Sequence, residues 1–439
     1  MKYYIWTEGC QMNVADSRYL ASSLEQLGHH RTQQIESADL IVLNTCVVRQ
    51  SAENKAIGRL SSLRPLKEKN PNLIINLMGC LIGVHGNQQI EKKFPWVDVF
   101  SPPSDPNPLL TFLIGNELKT EAQNWRQQIG RTLDSKVILP RQKQGELVSA
   151  NLPIVYGCSH ACTYCIIPYK RGKEHSRPYT EILNEANALA TQGIREIVLL
   201  GQIVDRYGLD IPNNPNLEDL LCKLDKIDGL YRIRFLTSHP NWMTESLLAT
   251  VAALPKVMPH IEVPIQAGDD QILQAMHRGY TSDDYRQLIK QIRSHIPNAS
   301  IATDVIVGFP GESNAQFMNT YKILKDLKMD VAHLARYSPR PGTYAARFLE
   351  DDVTSVEKLR RFRALENLQE QISGEINATY LDRQVSVLFN GKSKARWRGR
   401  TPTNKLVFVE TDEDLLGQVR EIKITWAGPW SMRGELIST

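Results

Sequence analysis

Three cysteines stand within one short stretch of the chain, Cys158-Ser-His-Ala-Cys162-Thr-Tyr-Cys165, which we call the central triad. Three thiolates at this spacing can hold three irons of a four-iron, four-sulfur cluster and leave the fourth iron open for a ligand. A structural zinc site would need a fourth protein ligand, which His160 or His175 could supply, but zinc sites typically pair their cysteines as C-x2-C. The spacing therefore favours an iron–sulfur cluster.

Three more cysteines, which we call the N-terminal triad, each follow directly on a predicted strand. Cys10 follows KYYIWTEG, Cys46 follows LIVLNT and Cys80 follows LIINLMG. Because parallel strands bring their carboxyl ends to one edge of a sheet, we expect these thiols to meet at a second site. The alternative is three cysteines that only pack in the core. The recurrence of one register on three successive strands favours a second cluster.

The seventh cysteine has a different setting. Cys222 lies in LEDLLCKL, where the leucines recur at helical spacing, so the sequence predicts a helix with Cys222 packed in the core. An odd number of cysteines also argues against a disulfide framework.

The apolar pattern predicts an α/β protein of three domains. Residues 1–125 alternate apolar runs with helical segments, which predicts a parallel α/β sheet, and residues 126–147 form a linker. Residues 148–371 contain six strand and helix units, which predict a partial (β/α)6 barrel with its reactive groups at the carboxyl ends of the strands. Residues 372–439 alternate apolar and polar positions, which predicts a small antiparallel β-barrel.

The composition is that of a globular protein without a membrane span. A net charge of +4 from 52 basic and 48 acidic residues means that affinity for an acidic partner must come from local clustering. The first residues, MKYYIWTEGC, lack the zones of a secretion signal, so we expect a cytoplasmic protein.

The central triad, with Tyr164 before its last cysteine, resembles the cysteine loop of the radical S-adenosylmethionine superfamily. In that superfamily the open iron binds S-adenosylmethionine, which one electron cleaves to methionine and a deoxyadenosyl radical. Together the two triads resemble the methylthiotransferases over essentially the whole chain. The resemblance implies two 4Fe-4S clusters: the central triad generates the radical, and the N-terminal triad supplies or carries the sulfur.

Four sequence words resemble the branch of the methylthiotransferases that acts on isopentenylated adenosine next to the anticodon of tRNA. They are GCQMN at 9–13, RFLTSHP at 234–240, YSPRPGT at 337–343 and GRTPTNKLV at 399–407. The resemblance implies that C2 of the base exchanges its hydrogen for a methylthio group. It also implies an electron donor and a supplier of sulfur or clusters, and we expect a monomer.

Three other functions stay open. The sister branches modify threonylcarbamoyl adenosine or an aspartate of a ribosomal protein. A protein of another class, an RNA-binding metalloprotein without catalytic activity, would carry structural metal at the same cysteines.

A basic run near the C-terminus is typical of RNA contact. The run GKSKARWRGRTPTNK, at 391–405, carries basic residues, no acidic one and one aromatic ring, which predicts phosphate contacts and base stacking. The candidate RNA contacts are Lys392, Lys394, Arg396, Trp397, Arg398 and Arg400. The alternative is a solvated basic turn, but the barrel resembles a TRAM domain, an RNA-binding module. Residues 169–177 (YKRGKEHSR) are further candidates to guide an anticodon loop, or are only surface charges.

Five positions at or beside strand ends are candidate contacts for a cofactor, because a parallel barrel builds its site there. They are Tyr164, Gln202, Gln266, Gly308 and Glu312. Ordinary loop geometry is the alternative for those that stand beside glycine turns.

Overall fold

The computed structural model describes residues 1–117, 139–140, 145–212 and 215–437. These residues cluster into two compact units. The first unit comprises Met1–Gln144, Asn151–His160 and Cys165–Gln192, and the second comprises Gly145–Ala150, Ala161–Tyr164 and Gly193–Thr439. Most of the predicted linker lies outside the described residues, and the three predicted domain boundaries stay predictions. Among the described residues, no helix is both long and apolar enough to cross a membrane.

A five-stranded sheet forms the centre of the first unit, in the order β2-β1-β3-β4-β5. Its strands are β1 (Lys2–Thr7), β2 (His30–Arg31), β3 (Leu40–Thr45), β4 (Ile74–Gly79) and β5 (Val99–Ser101). All of the neighbouring pairs are parallel, as the sequence predicts. β3 is buried along its whole length because apolar clusters lie on both faces of the sheet.

In the part of the chain that the structure describes, five α-helices follow the strands of this sheet. They are α1 (Gln11–Gln26), α2 (Gln50–Ser62), α3 (Arg64–Lys69), α4 (Gln88–Lys93) and α5 (Asn107–Glu117). On one face, Leu20 and Leu24 of α1 pack with Val42 of β3, and on the other, Leu60 of α2 packs with Leu43. The alternation of β3 side chains between the two clusters follows the period of two of a strand.

The next strand ends earlier than the sequence predicts. The run LPIVY predicts a strand over 152–156, but β6 spans Ser149–Pro153 and a separate strand, β7, spans Val155–Tyr156. Proline at 153 has no amide hydrogen to continue a ladder. β7 pairs antiparallel with β8 (His175–Ser176), and the helices α6 (Ile167–Arg171) and α7 (Tyr179–Thr191) complete this part of the first unit.

The strands of the predicted partial barrel form two three-stranded sheets, ordered β10-β9-β6 and β11-β12-β13. The new strands are β9 (Glu196–Leu200), β10 (Arg232–Phe235), β11 (His260–Glu262), β12 (Ser300–Val307) and β13 (Val331–Arg336). The pairs β9–β10, β11–β12 and β12–β13 are parallel, which confirms the predicted mixed α/β class with parallel sheets. The helices of the second unit are α8 (Leu217–Leu224), α9 (Glu245–Ala253), α10 (Asp270–Ala275), α11 (Ser282–His295), α12 (Asn314–Leu327), α13 (Tyr344–Phe348) and α14 (Ser355–Ala378).

The C-terminal strands close into a barrel, in the order β14-β15-β16-β18-β17. They are β14 (Gln384–Ser393), β15 (Arg396–Arg400), β16 (Leu406–Val409), β17 (Val419–Ala427) and β18 (Met432–Leu436). The small β-barrel is thus confirmed, and its pairs are antiparallel except for β16 with β18.

Two buried arginines of β10 hold the barrel within the second unit. Arg232 donates to the carbonyl of Arg400 at 2.5 Å, and Arg234 donates to the carbonyl of Thr401 at 2.8 Å while it pairs with Glu196 at 3.2 Å. His260 of β11 lies beside them, 2.7 Å from Ser300 Oγ. Burial, and then the cations that surround the ring, lower the pKa of His260 to about 3.

This neutral histidine predicts a stability that depends on pH. The ordinary pKa of the imidazole is 6.5, so between pH 6.5 and about 3 the unfolded chain binds the proton that the folded chain excludes. As the pH is lowered through that window, we expect the free energy of unfolding to decrease. The decrease should be steeper in the wild type than in His260→Gln, by roughly 1 kcal/mol per pH unit. Urea denaturation at several pH values measures the difference. His30 is exposed, so His30→Gln is the control. If the free energy of unfolding changed equally with pH in the wild type and in His260→Gln, the lowered pKa of His260 would be contradicted.

Candidate iron–sulfur and cofactor sites

The register of three parallel strands brings the N-terminal triad to one sheet edge. Thr45, the last residue of β3, pairs with Gly79, the last residue of β4, so Cys46 and Cys80 are the next residues on adjacent strands. β1 ends at Thr7, opposite Asn44, and Cys10 follows three residues later at the start of α1. The structure therefore brings together the three cysteines that the sequence predicts to converge.

Two glycines permit this close approach. Gly9 has φ +133°, and a Cβ on it would lie 2.4 Å from Cys46 Cβ. Gly79 has φ +103°, and a Cβ there would lie 2.5 Å from the carbonyl oxygen of Thr45. Both backbone angles and both distances exclude a side chain, so these positions require glycine.

A buried asparagine connects the first turn of α1 to β3. The Asn13 side-chain nitrogen donates to Asn44 Oδ1 at 2.8 Å and to the Thr45 carbonyl at 2.9 Å. Its Oδ1 accepts a hydrogen bond from Cys10 Sγ at 3.1 Å. Asn13 thereby fixes Cys10 relative to the strand that carries Cys46.

Two of the three thiols are buried and one is exposed. Cys46 and Cys80 are 4% and 0% exposed, whereas Cys10 is exposed. Burial raises the pKa of Cys46 to about 11, with smaller contributions from Cys80 and Cys10, and burial also raises the pKa of Cys80. Metal ligation needs the thiolate form, so a positive charge beside these thiols favours the form that a metal binds.

Arg171 supplies a positive charge at this site, which corrects the sequence interpretation of residues 169–177. We predicted that Arg171 guides RNA or is a surface charge, but it is 7% exposed and its guanidinium reaches the Cys80 sulfur. Burial would lower the pKa of Arg171, but Cys80, Asp16 and Cys10 together outweigh burial and raise it. Arg177 is also largely buried, and it pairs with Glu185 at 2.8 Å.

The residues of the N-terminal triad fit an iron–sulfur cluster by their chemistry. Three thiols can supply the thiolate ligands of a cluster, and these ligands give it negative charge. The buried guanidinium offsets that charge. Among the described residues, no group of three or more His, Cys, Asp or Glu side chains already has the arrangement of a metal site. The side chains would therefore adjust when a cluster binds, and cluster ligation by these cysteines stays a prediction.

The central triad lies on the loop that follows β7. Cys158 and Cys165 belong to the first unit, where the Cys158 amide donates to the Gly172 carbonyl at 3.1 Å and its Sγ accepts from the His160 amide at 3.4 Å. Three thiols within so short a loop suit an iron–sulfur cluster.

Cys162 belongs to the second unit and contacts a buried arginine there. Arg278 Nη1 donates to Cys162 Sγ at 3.2 Å, and Arg278 Nε donates to Tyr280 Oη at 3.0 Å. The next residue, Thr163, is held by the carbonyls of Met276 and Ala275 at 3.1 and 2.8 Å. The sequence analysis missed Arg278, which lies in a turn without a motif.

The predicted cofactor contacts lie in the second unit. Tyr164 packs against Phe309, with 6.5 Å between the ring centroids, and Gln202 is half-buried just after β9. Gln266 has φ +72° and forms an isolated bridge with Val305 of β12. Its amide donates to the Asp304 carbonyl, and its carbonyl accepts from the Ile306 amide. Their contact with a cofactor stays a prediction.

The turn at Gly308 is closed by protein groups. The Glu312 carboxylate accepts from the Gly308 amide at 2.6 Å and from Arg361 at 2.6 Å, and Glu312 is 3% exposed. This network gives the Glu312 carboxylate a structural role that fixes the turn. Burial of the carboxylate disfavours the direct cofactor contact that we predicted for it.

The basic run on the C-terminal barrel is only partly available to RNA, and its aromatic residue is in the core. Trp397 is 5% exposed, because β15 alternates inward and outward positions, and Lys392 covers its ring at 4.3 Å. The prediction that Trp397 stacks on a base is therefore wrong. Arg396 pairs with Glu410 at 2.5 Å, and Arg400 donates to the Asn404 carbonyl at 2.9 Å. Lys392, Lys394 and Arg398 are exposed.

The exposed aromatic rings of the barrel are others, which the sequence analysis missed. Trp426 on β17 and Trp430 are 45% and 58% exposed. Arg433 lies over the Trp426 ring at 4.9 Å, which places a cation beside an exposed ring.

Cys222 is exposed, so the prediction that it packs in the core is wrong. The leucines of α8 (Leu217, Leu220, Leu221 and Leu224) form the buried face, and Cys222 falls on the other side.

Comparisons with known proteins cover the whole chain. Family models match at residues 2–101 (uncharacterized protein family UPF0004), 152–324 (radical SAM superfamily) and 379–437 (TRAM domain). A relative from Roseiflexus sp. (strain RS-1), named tRNA-2-methylthio-N(6)-dimethylallyladenosine synthase, is 46% identical over 99% of this chain and 89% of its own. A relative of the same name from Dehalococcoides mccartyi (strain CBDB1) is 45% identical over 99% and 98%.

Solved structures agree on the fold alone. The radical S-adenosylmethionine methyltransferase TsrM from Kitasatospora setae has a TM-score of 0.56 at 13% identity, over 79% of this chain and 77% of that one. The cobalamin-dependent radical enzyme OxsB has a TM-score of 0.51 at 14% identity, over 83% and 56%.

The fold, the central triad and these matches define a radical S-adenosylmethionine enzyme with a C-terminal TRAM domain. Iron–sulfur clusters and S-adenosylmethionine are its cofactors. Within that class, the chain belongs to the family of tRNA-2-methylthio-N(6)-dimethylallyladenosine synthases.

Iron content tests the two cysteine sites. We expect about eight irons per chain after anaerobic reconstitution, and about four when any one of Cys10, Cys46 or Cys80 is changed to serine, because that change leaves one site without its third thiolate. Cys222→Ser is the matched control and should keep about eight. If Cys46→Ser also kept about eight irons, the N-terminal triad would not hold a cluster.

Proposed function

We propose that this protein replaces the hydrogen on C2 of an N6-isopentenylated adenosine, next to the anticodon of tRNA, with a methylthio group. The observation that carries the proposal is the convergence of Cys10, Cys46 and Cys80 at one sheet edge, beside a buried cation. That arrangement gives the chain a second cluster site for sulfur, apart from the central triad. Family membership and the TRAM domain support tRNA as the substrate.

The central and N-terminal triads would hold the two clusters. Bound there, the clusters and S-adenosylmethionine would supply a carbon radical for hydrogen removal and a sulfur for insertion. The chain's own residues position the cysteines: Arg278 bonds Cys162, Asn13 bonds Cys10, and Arg171 reaches Cys80. These bonds restrict the thiols before the clusters bind, and so reduce the conformational freedom that binding removes.

RNA would bind to the C-terminal barrel through exposed cations and rings. Lys392, Lys394 and Arg398 offer positive charge for phosphates, and Trp426 and Trp430 offer exposed rings for bases. We propose that the target adenosine leaves its stack, because an enzyme that acts on a base must bring the reacting atom into its active site.

The cellular setting follows from this substrate. We propose that the protein acts in the cytoplasm as a monomer. It needs an electron donor for the reductive cleavage of S-adenosylmethionine, and a supplier of sulfur or clusters, because each product carries one sulfur atom away.

An assay on defined substrates tests the reaction. We expect the reconstituted enzyme, with S-adenosylmethionine and a reductant, to convert an isopentenylated anticodon stem-loop to the 2-methylthio nucleoside, which mass spectrometry of the digested RNA detects. Changing Cys158 or Cys46 to alanine should abolish product, and Cys222→Ala should preserve it.

Two further substrates and the metal content separate the alternatives. Product on a threonylcarbamoyl stem-loop or on a ribosomal-protein aspartate, with none on the isopentenylated RNA, would assign the protein to a sister branch. Zinc in place of iron and no product on any substrate would favour a binding protein without catalytic activity.

Binding of the stem-loop tests the barrel surface. We expect Lys392→Ala, Lys394→Ala and Arg398→Ala each to weaken binding and to reduce the salt slope by about 0.7 if one phosphate contact is lost. We expect Trp426→Ala to cost about 1 to 3 kcal/mol if its ring stacks on a base. Arg396→Ala is the control, because Glu410 already pairs with that guanidinium and a smaller effect should follow. Fluorescence anisotropy at several salt concentrations measures both quantities, and unchanged binding in all of these variants would exclude this surface.

A further inference from the structure

We propose that Arg171 and Asp16 form a buried charge pair that sets the redox potential of the cluster at the N-terminal triad, with Arg171 as a positioning residue for Cys80 and Cys10. The inference rests on the proposed function, because it needs a cluster at this triad. It assigns two residues that are not ligands to the control of that cluster. All of the residues involved lie in the first unit.

The Arg171 guanidinium is held in place by three oxygen atoms. Nη1 donates to Ser104 Oγ at 3.1 Å, Nη2 donates to Asn13 Oδ1 at 3.3 Å, and Nη2 lies 3.6 Å from Asp16 Oδ2. The same Asn13 oxygen accepts from Cys10 Sγ at 3.1 Å. Arg171 is therefore connected to Cys10 through a shared acceptor, and Cys80 is the largest of the charges that raise its pKa.

Both members of the charge pair are shielded from water. The Arg171 and Asp16 side chains are 3% and 4% exposed. A charge in such a place acts strongly on its neighbours, because little solvent screens it. Burial raises the pKa of Asp16, but the positive charge of Arg171, 3.6 Å away, opposes that rise and favours the carboxylate.

The segment that carries Arg171 also holds both cysteine loops. The Lys170 carbonyl accepts from the Val84 amide at 3.0 Å, in the loop after Cys80, and the Gly172 carbonyl accepts from the Cys158 amide at 3.1 Å. The residues on either side of Arg171 thus bond to the loop of Cys80 and to the loop of Cys158. These backbone bonds hold the main chain at Arg171, and Ser104, Asn13 and Asp16 hold its guanidinium.

The two charges should act on the cluster in opposite directions. A cluster becomes more negative when it is reduced, so a neighbouring positive charge stabilises the reduced form and a neighbouring negative charge destabilises it. Arg171→Gln should therefore shift the midpoint potential to more negative values. Asp16→Asn removes a negative charge and should shift the potential to more positive values.

The experiment uses the full chain with the central triad changed to alanine (Cys158→Ala, Cys162→Ala, Cys165→Ala), so that a cluster can bind only at the N-terminal triad. After anaerobic reconstitution, a redox titration followed by electron paramagnetic resonance gives the midpoint potential. The variants Arg171→Gln, Arg171→Lys and Asp16→Asn are compared on this background. Arg18→Gln is the matched control, because Arg18 is also buried but pairs with Glu185 at 3.1 Å, and no cysteine is among the groups that shift its pKa.

We expect a negative shift for Arg171→Gln, a positive shift for Asp16→Asn and little change for Arg171→Lys or Arg18→Gln. Shifts of the same sign for Arg171→Gln and Asp16→Asn, or no shift for either, would overturn the proposal. If Arg171→Gln takes up no iron, the other two variants test the proposal. A positive shift for Asp16→Asn with an unchanged potential for Arg171→Lys would support it, and any other result would overturn it. Absence of a cluster in the background variant itself would instead contradict the proposed function.

Discussion

The parallel register of β1, β3 and β4 fixes the position of three thiols that are distant in sequence. Thr45 opposite Gly79 makes Cys46 and Cys80 neighbours, and Gly9 lets the chain before Cys10 pass against Cys46. This convergence has an electrostatic cost, because buried thiols resist ionisation and thiolates repel one another. The fold accommodates this convergence in three ways. Gly9 and Gly79 leave space for it, the hydrogen bonds of Asn13 fix Cys10, and the buried Arg171 supplies positive charge.

A buried guanidinium accompanies one cysteine of each triad. Arg171 reaches Cys80 within the first unit, and Arg278 bonds Cys162 at 3.2 Å within the second. An arginine keeps its charge when buried and donates in fixed directions. Both arginines can therefore restrain a sulfur atom, a role that belongs to the folded chain before any cluster binds.

The sequence predicts what depends on local pattern and misses what depends on distant contacts. The strands, both triads and the C-terminal barrel follow from apolar runs and from cysteines in a repeated register. Arg171 could not be distinguished from its basic neighbours, because its partners Asn13, Asp16 and Ser104 stand 67 or more positions away. Cys222 could not be placed even from local pattern. Helical spacing predicts that the leucines of α8 face inward, but it does not decide whether a cysteine beside them lies within the buried face or just outside it.

Trp397 and Trp426 of the barrel show how strand geometry decides which rings are exposed. Strict alternation along β15 turns Trp397 inward between the outward-facing basic residues, a period of two that the basic composition concealed. On β17 the register shifts between Ile424 and Trp426, so Trp426 is exposed although Ile422 and Ile424 point into the core. A bulge cannot be recognised from alternation alone, which is why the exposed ring was missed.

Anomalous X-ray scattering at the iron edge, from crystals of the anaerobically reconstituted protein, tests the central claim most directly. Convergence of the N-terminal triad on one cluster predicts an iron peak bounded by the sulfurs of Cys10, Cys46 and Cys80, in addition to a peak at the central triad. Iron at the central triad alone, or sulfurs of the N-terminal triad directed to separate places, would contradict it.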